Sequence, residues 1–146
     1  KGNVAVIGGG LVGLEVAEYL AEKQPGVTSV NVIEMLGACG EGLGTLRKQS
    51  VDANLEREGV CTMVDTKCLA IKPGAVVVEC GGCQQEIPAD HVVIAVESRA
   101  VDHSAIDQAC EKLGIPYWVI GDARQARRAI DATAEAAEVV LEIDKA

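Results

Sequence analysis

The sequence predicts an α/β fold, a parallel sheet with an added antiparallel β-meander, and three observations carry that prediction. Short runs of branched apolar residues alternate with stretches of helical spacing in the first part of the chain. Shorter strand-like pieces separated by glycine turns follow in the middle, and the alternation then resumes. Strand–helix–strand order is that of a parallel sheet, whereas tight Gly-rich turns join antiparallel neighbours.

Residues 4–7 (Val-Ala-Val-Ile) read as a buried strand ending in Gly8-Gly9-Gly10. From Leu11 the apolar residues fall at helical spacing, at Leu14, Ala17, Leu20 and Ala21, until Pro25-Gly26 ends the helix. Residues 27–33 form a second strand that closes on Glu34. Residues 45–58 form a helix with Leu46, Val51 and Leu55 roughly on one face, and Gly59 is its natural terminator. Residues 60–64, 67–71, 76–80 and 84–87 are short strand-like pieces, with Pro73-Gly74 and Gly81-Gly82 as turns, and they look like an antiparallel meander. Residues 91–96 return as a buried strand. Residues 104–113 are a short helix before Gly114, residues 117–120 a strand, and an alanine-rich helix runs on from about Ala123.

Composition narrows the function classes. Phe is absent and the aromatics are Trp118, Tyr19 and Tyr117, so the core rests on Val, Ile, Leu and Ala. The formal charge of −9 argues against a nucleic-acid partner, which demands Lys and Arg to neutralise phosphates, and against an anionic membrane surface. No apolar run approaches the ~20 residues that span a bilayer. No signal-like segment opens the chain; it begins at Lys1 rather than Met and enters a strand almost at once, which reads as a piece of a longer protein or a processed chain. Six cysteines without a secretory signal point to free thiols in a reducing cytoplasm.

Gly8-x-Gly10-x-x-Gly13 stands between a strand and a helix. Gly8 permits the tight turn, Gly10 lets the backbone approach a pyrophosphate, and Gly13 allows helix to pack closely on strand. Free N–H groups at the helix start favour an anion there. Glu34 follows 21 residues after Gly13 at the end of the next strand. A carboxylate there accepts hydrogen bonds from adenosine ribose hydroxyls and repels a 2′-phosphate. The first arginine beyond it is Arg47, so NAD(H) is expected over NADP(H). The expected cofactor contacts are Gly8, Gly9, Gly10, Leu11, Val12 and Gly13, with Glu34 and Met35; this gives the fold its Rossmann-type reading.

Val-Ile-Gly-Gly-Gly-Leu-Val-Gly-Leu-Glu, residues 6–15, resembles the pyridine-nucleotide domain of two-dinucleotide flavoproteins. That resemblance implies a place for Glu15 near the nicotinamide end, against the alternative of a solvated helix glutamate. Residues 90–99 (Asp-His-Val-Val-Ile-Ala-Val-Glu-Ser-Arg) resemble the strand and loop leading back to the FAD domain, which puts Val96 by the cofactor. Residues 117–123 (Tyr-Trp-Val-Ile-Gly-Asp-Ala) resemble the closing FAD motif, which gives Asp122 the ribityl-pyrophosphate region of FAD. The tail from Arg127 follows the style of old-yellow-enzyme-like enoate and 2,4-dienoyl-CoA reductases. In those, electrons pass from NADH through FAD, an iron–sulfur cluster and FMN to an activated alkene. The chain departs from the pattern in three ways. It holds no second GxGxxG for FAD, Val96-Glu97 replaces a small glycine turn, and Ala100 stands where the family often has Pro.

Other groups carry weaker signals. Cys80-Gly-Gly-Cys83 reads first as a Gly-Gly hairpin turn flanked by reduced thiols; a redox pair, or a zinc site completed by Cys61 and Cys68, are the alternatives. His91 and His103 have no convincing nucleophile partner. Arg124, Arg127 and Arg128 read as a solvated helix start, or as a contact to FAD or a neighbouring domain.

The expected organisation is a NAD(H)-binding domain over residues 1–103 and a C-terminal fragment of a FAD-binding domain over residues 104–146. The expected role is docking NADH for hydride transfer to FAD in a parent flavoprotein, with the remainder of that protein as partner and a homodimer through the C-terminal segment as a further option. Hydride transfer needs no protein acid or base, so no catalytic side chain and no metal are expected. The rivals are a stand-alone nucleotide-binding or redox-sensing module, and a complete dehydrogenase, for which no proton-relay residue stands out.

Overall fold

The computed structural model describes residues 1–96 and 98–143, and they divide into two compact units, Lys1–Val96 and Glu97–Ala146. The sequence reading at Glu97 and at the last three positions of the tail lies outside the described residues.

In the first unit, β1 (Gly2–Ile7), β2 (Val27–Ile33), β3 (Cys61–Met63) and β7 (His91–Ile94) form a parallel sheet in the order β3-β2-β1-β7. Helices α1 (Leu11–Lys23) and α2 (Thr45–Arg57) make the crossovers from β1 to β2 and from β2 to β3. Strands β4 (Thr66–Lys72), β5 (Ala75–Cys80) and β6 (Cys83–Pro88) form the separate antiparallel meander.

The alternation of side chains along β1 explains why its sequence is apolar throughout. Val4 and Val6 join Val30 and Val32 of β2 against Leu14, Ala17, Val51 and Leu55 of the two helices. Ala5, on the opposite face, packs with Ile33 and with Val76 and Val78 of the meander. The sheet is thus covered by helices on one side and by the meander on the other, and a strand buried on both faces reads as a continuous hydrophobic run.

The Rossmann-type α/β class with a β-meander is what the structure shows, with one reassignment. Of the four short strand-like pieces, the first becomes β3 and pairs parallel with β2, Val32 opposite Thr62. It follows a helical crossover, and such a crossover returns the chain parallel. The strand expected over residues 91–96 stops at Ile94.

The second unit holds α3 (Ser104–Leu113) and α4 (Ala129–Ile143). Gly114 closes α3 in the left-handed conformation, φ +65°, with the Ile115 amide donating to the Cys110 carbonyl. Two expectations fail here. Residues 117–120 form no strand, although Ile120 is extended, because no neighbouring strand pairs with them among the described residues. The final helix begins at Ala129 rather than near Ala123. Gly121–Ala123 form a single 3-10 turn with Gly121 at φ +59°, and the Asp122 carboxylate accepts from the Arg127 amide, holding this stretch out of the helix.

Candidate functional site

A parallel sheet brings the C-terminal ends of its strands to one edge. Here β1 leads into Gly8, β2 into Glu34 and β7 into Ala95-Val96, with β2 and β7 on opposite sides of β1. The strand order reverses at β1, and the crevice outside the strand ends at such a reversal is where α/β sheets bind ligands.

Two of the three motif glycines are required by contacts that can be named. Gly8 sits at φ +106°, and a Cβ on it would lie 2.4 Å from the carbonyl oxygen of Ala95. A Cβ on Gly13 would lie 1.9 Å from the carbonyl oxygen of Gly8, so α1 can start against β1 only if that side chain is absent. Gly10 differs: a Cβ there would meet no atom within 4 Å. The fold leaves its glycine unexplained, and the open space lies at the start of α1. The first-turn amides of Leu11, Val12 and Gly13 have no partner carbonyl inside the helix. No side chain caps this end and no acidic residue occupies the first turn. The arrangement suits an anion.

Glu34 completes the edge. Its Oε2 accepts from the Gly9 amide at 2.6 Å and its Oε1 from the Leu36 amide at 2.8 Å. Its own backbone is fixed in turn, the amide donating to the Met63 carbonyl and the carbonyl accepting from Thr66. The following loop folds back under the glycine turn. The Gly40 amide donates to the Gly9 carbonyl at 2.7 Å, and Cys39 is buried so close that a Cβ on Gly9 would lie 2.6 Å from its sulfur. Burial pushes the Cys39 thiol up from its ordinary range, and the Glu34 carboxylate adds to the effect.

The structure thus gathers Gly8, Gly9, Gly10, Leu11, Val12, Gly13 and Glu34 at one edge, with Met35 and Val96 exposed at the ends of their strands. Glu15, the next turn along α1, forms an exposed ion pair with Arg47 of α2. Asp122 belongs to the second unit. Sequence reasoning missed Cys39 and Gly40 as supports of the turn; the glycine-dense stretch Gly37 to Gly44 was the available signal.

In the second unit, the buried Glu135 of α4 organises the Asp122 turn. Its Oε2 accepts from the Gly121 amide at 2.7 Å and its Oε1 binds Arg124 and Arg127. The Arg127 guanidinium, then the Gly121 amide, hold its carboxyl below the usual carboxylate range. All three clustered arginines are therefore engaged within the unit, Arg124 and Arg127 with Glu135 and Arg128 with Asp131. His103 bonds Asp107 at 2.7 Å, and His91 lies 3.3 Å from the Lys1 amino group. Among the described residues no group of three or more His, Cys, Asp and Glu is placed to hold a metal ion, and no helix is long and apolar enough to cross a membrane.

Comparison with known proteins agrees with this geometry. The profile of the pyridine nucleotide-disulphide oxidoreductase family matches residues 1–135. A metal reductase of Desulforamulus reducens is 30% identical, the match taking in 92% of this chain and 24% of that protein. An NADH oxidase of Thermoanaerobacter brockii is 33% identical over 97% of this chain and 21% of its own length. The chain thus spans about a quarter or less of these curated relatives. Among solved structures, a 2-naphthoyl-CoA reductase in complex with 2-naphthoyl-CoA superposes with a TM-score of 0.69 and 24% identity, over 89% of this chain and 19% of that one. The chain belongs to the pyridine nucleotide-disulphide oxidoreductase family, whose cofactors are NAD(H) and FAD.

Proposed function

We propose that this chain docks NADH for hydride transfer to FAD within a larger NADH-dependent flavin oxidoreductase. The observation that carries the reading is the Glu34 carboxylate fixed against the Gly9 amide, beside an uncapped helix start whose Gly10 faces open space. In this reading the amides of Gly10, Leu11 and Val12 hold the pyrophosphate, and Gly8 and Gly13 set the turn. Glu34 takes the ribose hydroxyls, with Gly9 and Met35 beside it. Glu15 and Val96 stand toward the nicotinamide end. Bound there, the reduced nicotinamide supplies the hydride and the flavin accepts it, so the protein's task is alignment.

Asp122 is the chain's contribution to FAD, presented on a turn that Glu135 holds in place. A single carboxylate does not make a flavin site, and the remainder of the parent protein supplies the rest. For the parent's substrate we favour an activated alkene of the enoate or dienoyl-CoA class. The resemblance of the tail supports this, as does the likeness to a reductase solved with an aromatic acyl-CoA. The cysteines are free throughout, in keeping with a cytoplasmic, reducing setting.

Calorimetric titration of the full chain with NADH and with NADPH tests the reading. NADH is expected to bind at least about tenfold more tightly, a difference of about 1.4 kcal/mol. Equal or tighter NADPH binding overturns the role given to Glu34, and no binding of either nucleotide overturns the docking role.

A further inference from the structure

Helix α2 opens on Thr45-Leu46-Arg47-Lys48, with no side-chain cap and no acidic residue in its first turn. Local rules disfavour cations there, because the start of a helix carries the positive end of its dipole. Each cation nevertheless has an acceptor. Lys48 bonds both oxygens of Asp52, one turn further along the same helix. Arg47 reaches across to Glu15 of α1, 32 residues away in sequence. That pair does little for the fold. Its side chains are 57% and 47% exposed, and an exposed ion pair contributes little to stability. The two helices already share the buried cluster of Leu14, Ala17, Val51 and Leu55.

The neighbourhood of Glu15 explains the pairing better. Glu15 is the first carboxylate along α1, four residues after Leu11 and therefore on the same face, one turn on. Helical side chains lean toward the N-terminus and cover the turn before their own. The Glu15 side chain thus leans toward the open amides of Leu11, Val12 and Gly13, at the helix start where Gly10 leaves free space. A bare carboxylate in that position repels the phosphate charges of an arriving dinucleotide.

We propose that Arg47 neutralises Glu15 and thereby admits the pyrophosphate of the dinucleotide to the start of α1. Arg47 is a positioning residue that acts through Glu15, and the inference rests on the docking role given above. It gives α2 a part in nucleotide affinity, although no residue of α2 belongs to the glycine turn. The effect is one of net charge at an exposed site. Lysine at position 47 should therefore serve nearly as well, and salt should screen the contribution.

Calorimetric titration of the full chain with NADH and with ADP-ribose, at about 20 mM and at about 500 mM NaCl, tests this. ADP-ribose keeps the adenosine and the pyrophosphate and lacks the nicotinamide. Arg47→Ala is expected to weaken both ligands about fivefold at low salt and less than about twofold at high salt. Arg47→Lys is expected to stay within about twofold of the wild type, and Glu15→Gln combined with Arg47→Ala to return there. Glu15→Gln alone should bind at least as tightly as the wild type. Urea unfolding midpoints are expected to be unchanged throughout, which keeps a loss of binding apart from a loss of fold. Arg47→Ala that binds like the wild type at low salt overturns the inference and leaves the docking role standing. So does a loss that salt does not reduce, or that Glu15→Gln does not repair. A loss confined to NADH overturns it too, because the pair then acts on the nicotinamide end. Absence of binding by the wild-type chain overturns the docking role itself, and this inference with it.

Discussion

The Gly9 amide donates a 2.6 Å hydrogen bond to Oε2 of Glu34, tying the glycine turn after β1 to the end of β2. With the Leu36 amide on the other oxygen, the carboxylate is held by two donors from two segments. One side chain thus supports the turn and, in the proposed function, chooses between dinucleotides.

Glu34→Ala therefore has two expected effects. The Gly9 amide loses its acceptor, and a part-buried donor left unpaired costs about 1–3 kcal/mol, measurable by urea unfolding. The preference for NADH over NADPH narrows, because the ribose acceptor and the repulsive charge go together. An unchanged ratio of the two affinities in calorimetry counts against the assignment.

Substitutions at two glycines of one motif should separate binding from folding. Gly10→Val projects into open space, so the circular dichroism spectrum stays native while NADH binding is lost. Gly13→Ala drives a methyl against the Gly8 carbonyl and is expected to lower stability by about 1–3 kcal/mol or more. Native-like NADH affinity in the folded Gly10→Val chain would show that the phosphate lies elsewhere.

Acid should loosen the Asp122 turn. The folded state holds the Glu135 carboxyl below its usual range, so its contribution is complete above the ordinary glutamate pKa of about 4.3. It is lost as the pH falls through the lowered folded value, because the unfolded chain then binds the proton more readily. Protection of the Gly121 and Arg127 amides, measured as hydrogen exchange relative to the intrinsic rate at each pH, is expected to fall in that window. In Glu135→Gln the same amides should exchange faster at neutral pH and lose that pH response.

The second unit leaves much apolar surface uncovered. Ile130 is 67% and Leu141 62% exposed, and α3 buries none of its residues. Burying such a side chain is worth about 1.5–3 kcal/mol, so ordered docking on another surface, including a second copy of the chain, is expected. Light scattering over a concentration series, with hydrogen exchange on residues 104–143, checks this. A strict monomer with a wholly unprotected tail sinks the idea. FAD added in a third arm is expected not to bind stoichiometrically.

The parts of this fold legible in the sequence are those whose signals are local. Gly8 and Gly13 announced their roles because a turn and a helix start are built from adjacent residues, and residues 76–80 marked a strand as a branched run set between two glycine turns. The burial of Cys39 beneath Gly9, and the Gly40-to-Gly9 hydrogen bond, depend on how a loop returns, which no spacing encodes. Residues 117–120 show the opposite error. Their branched and aromatic residues have strand propensity, but a ladder needs a neighbour. Nothing in the sequence singled out Glu135 on its alanine-rich helix, since its partners stand 8, 11 and 14 positions away.

The position of β7 also sets a timetable. Its lead-in residue Asp90 accepts from the Asn3 amide across 87 residues of sequence, and β7 then pairs with β1 along Val4 to Ile7. Closing so long a loop is entropically costly and is repaid only when the whole ladder forms. β1, β2 and their helix can assemble early from near neighbours, while the crevice wall at Ala95-Val96 waits for the meander to be threaded. In a refolding experiment, recovery of helical signal should therefore precede recovery of NADH binding, and the delay between them measures the arrival of the last strand.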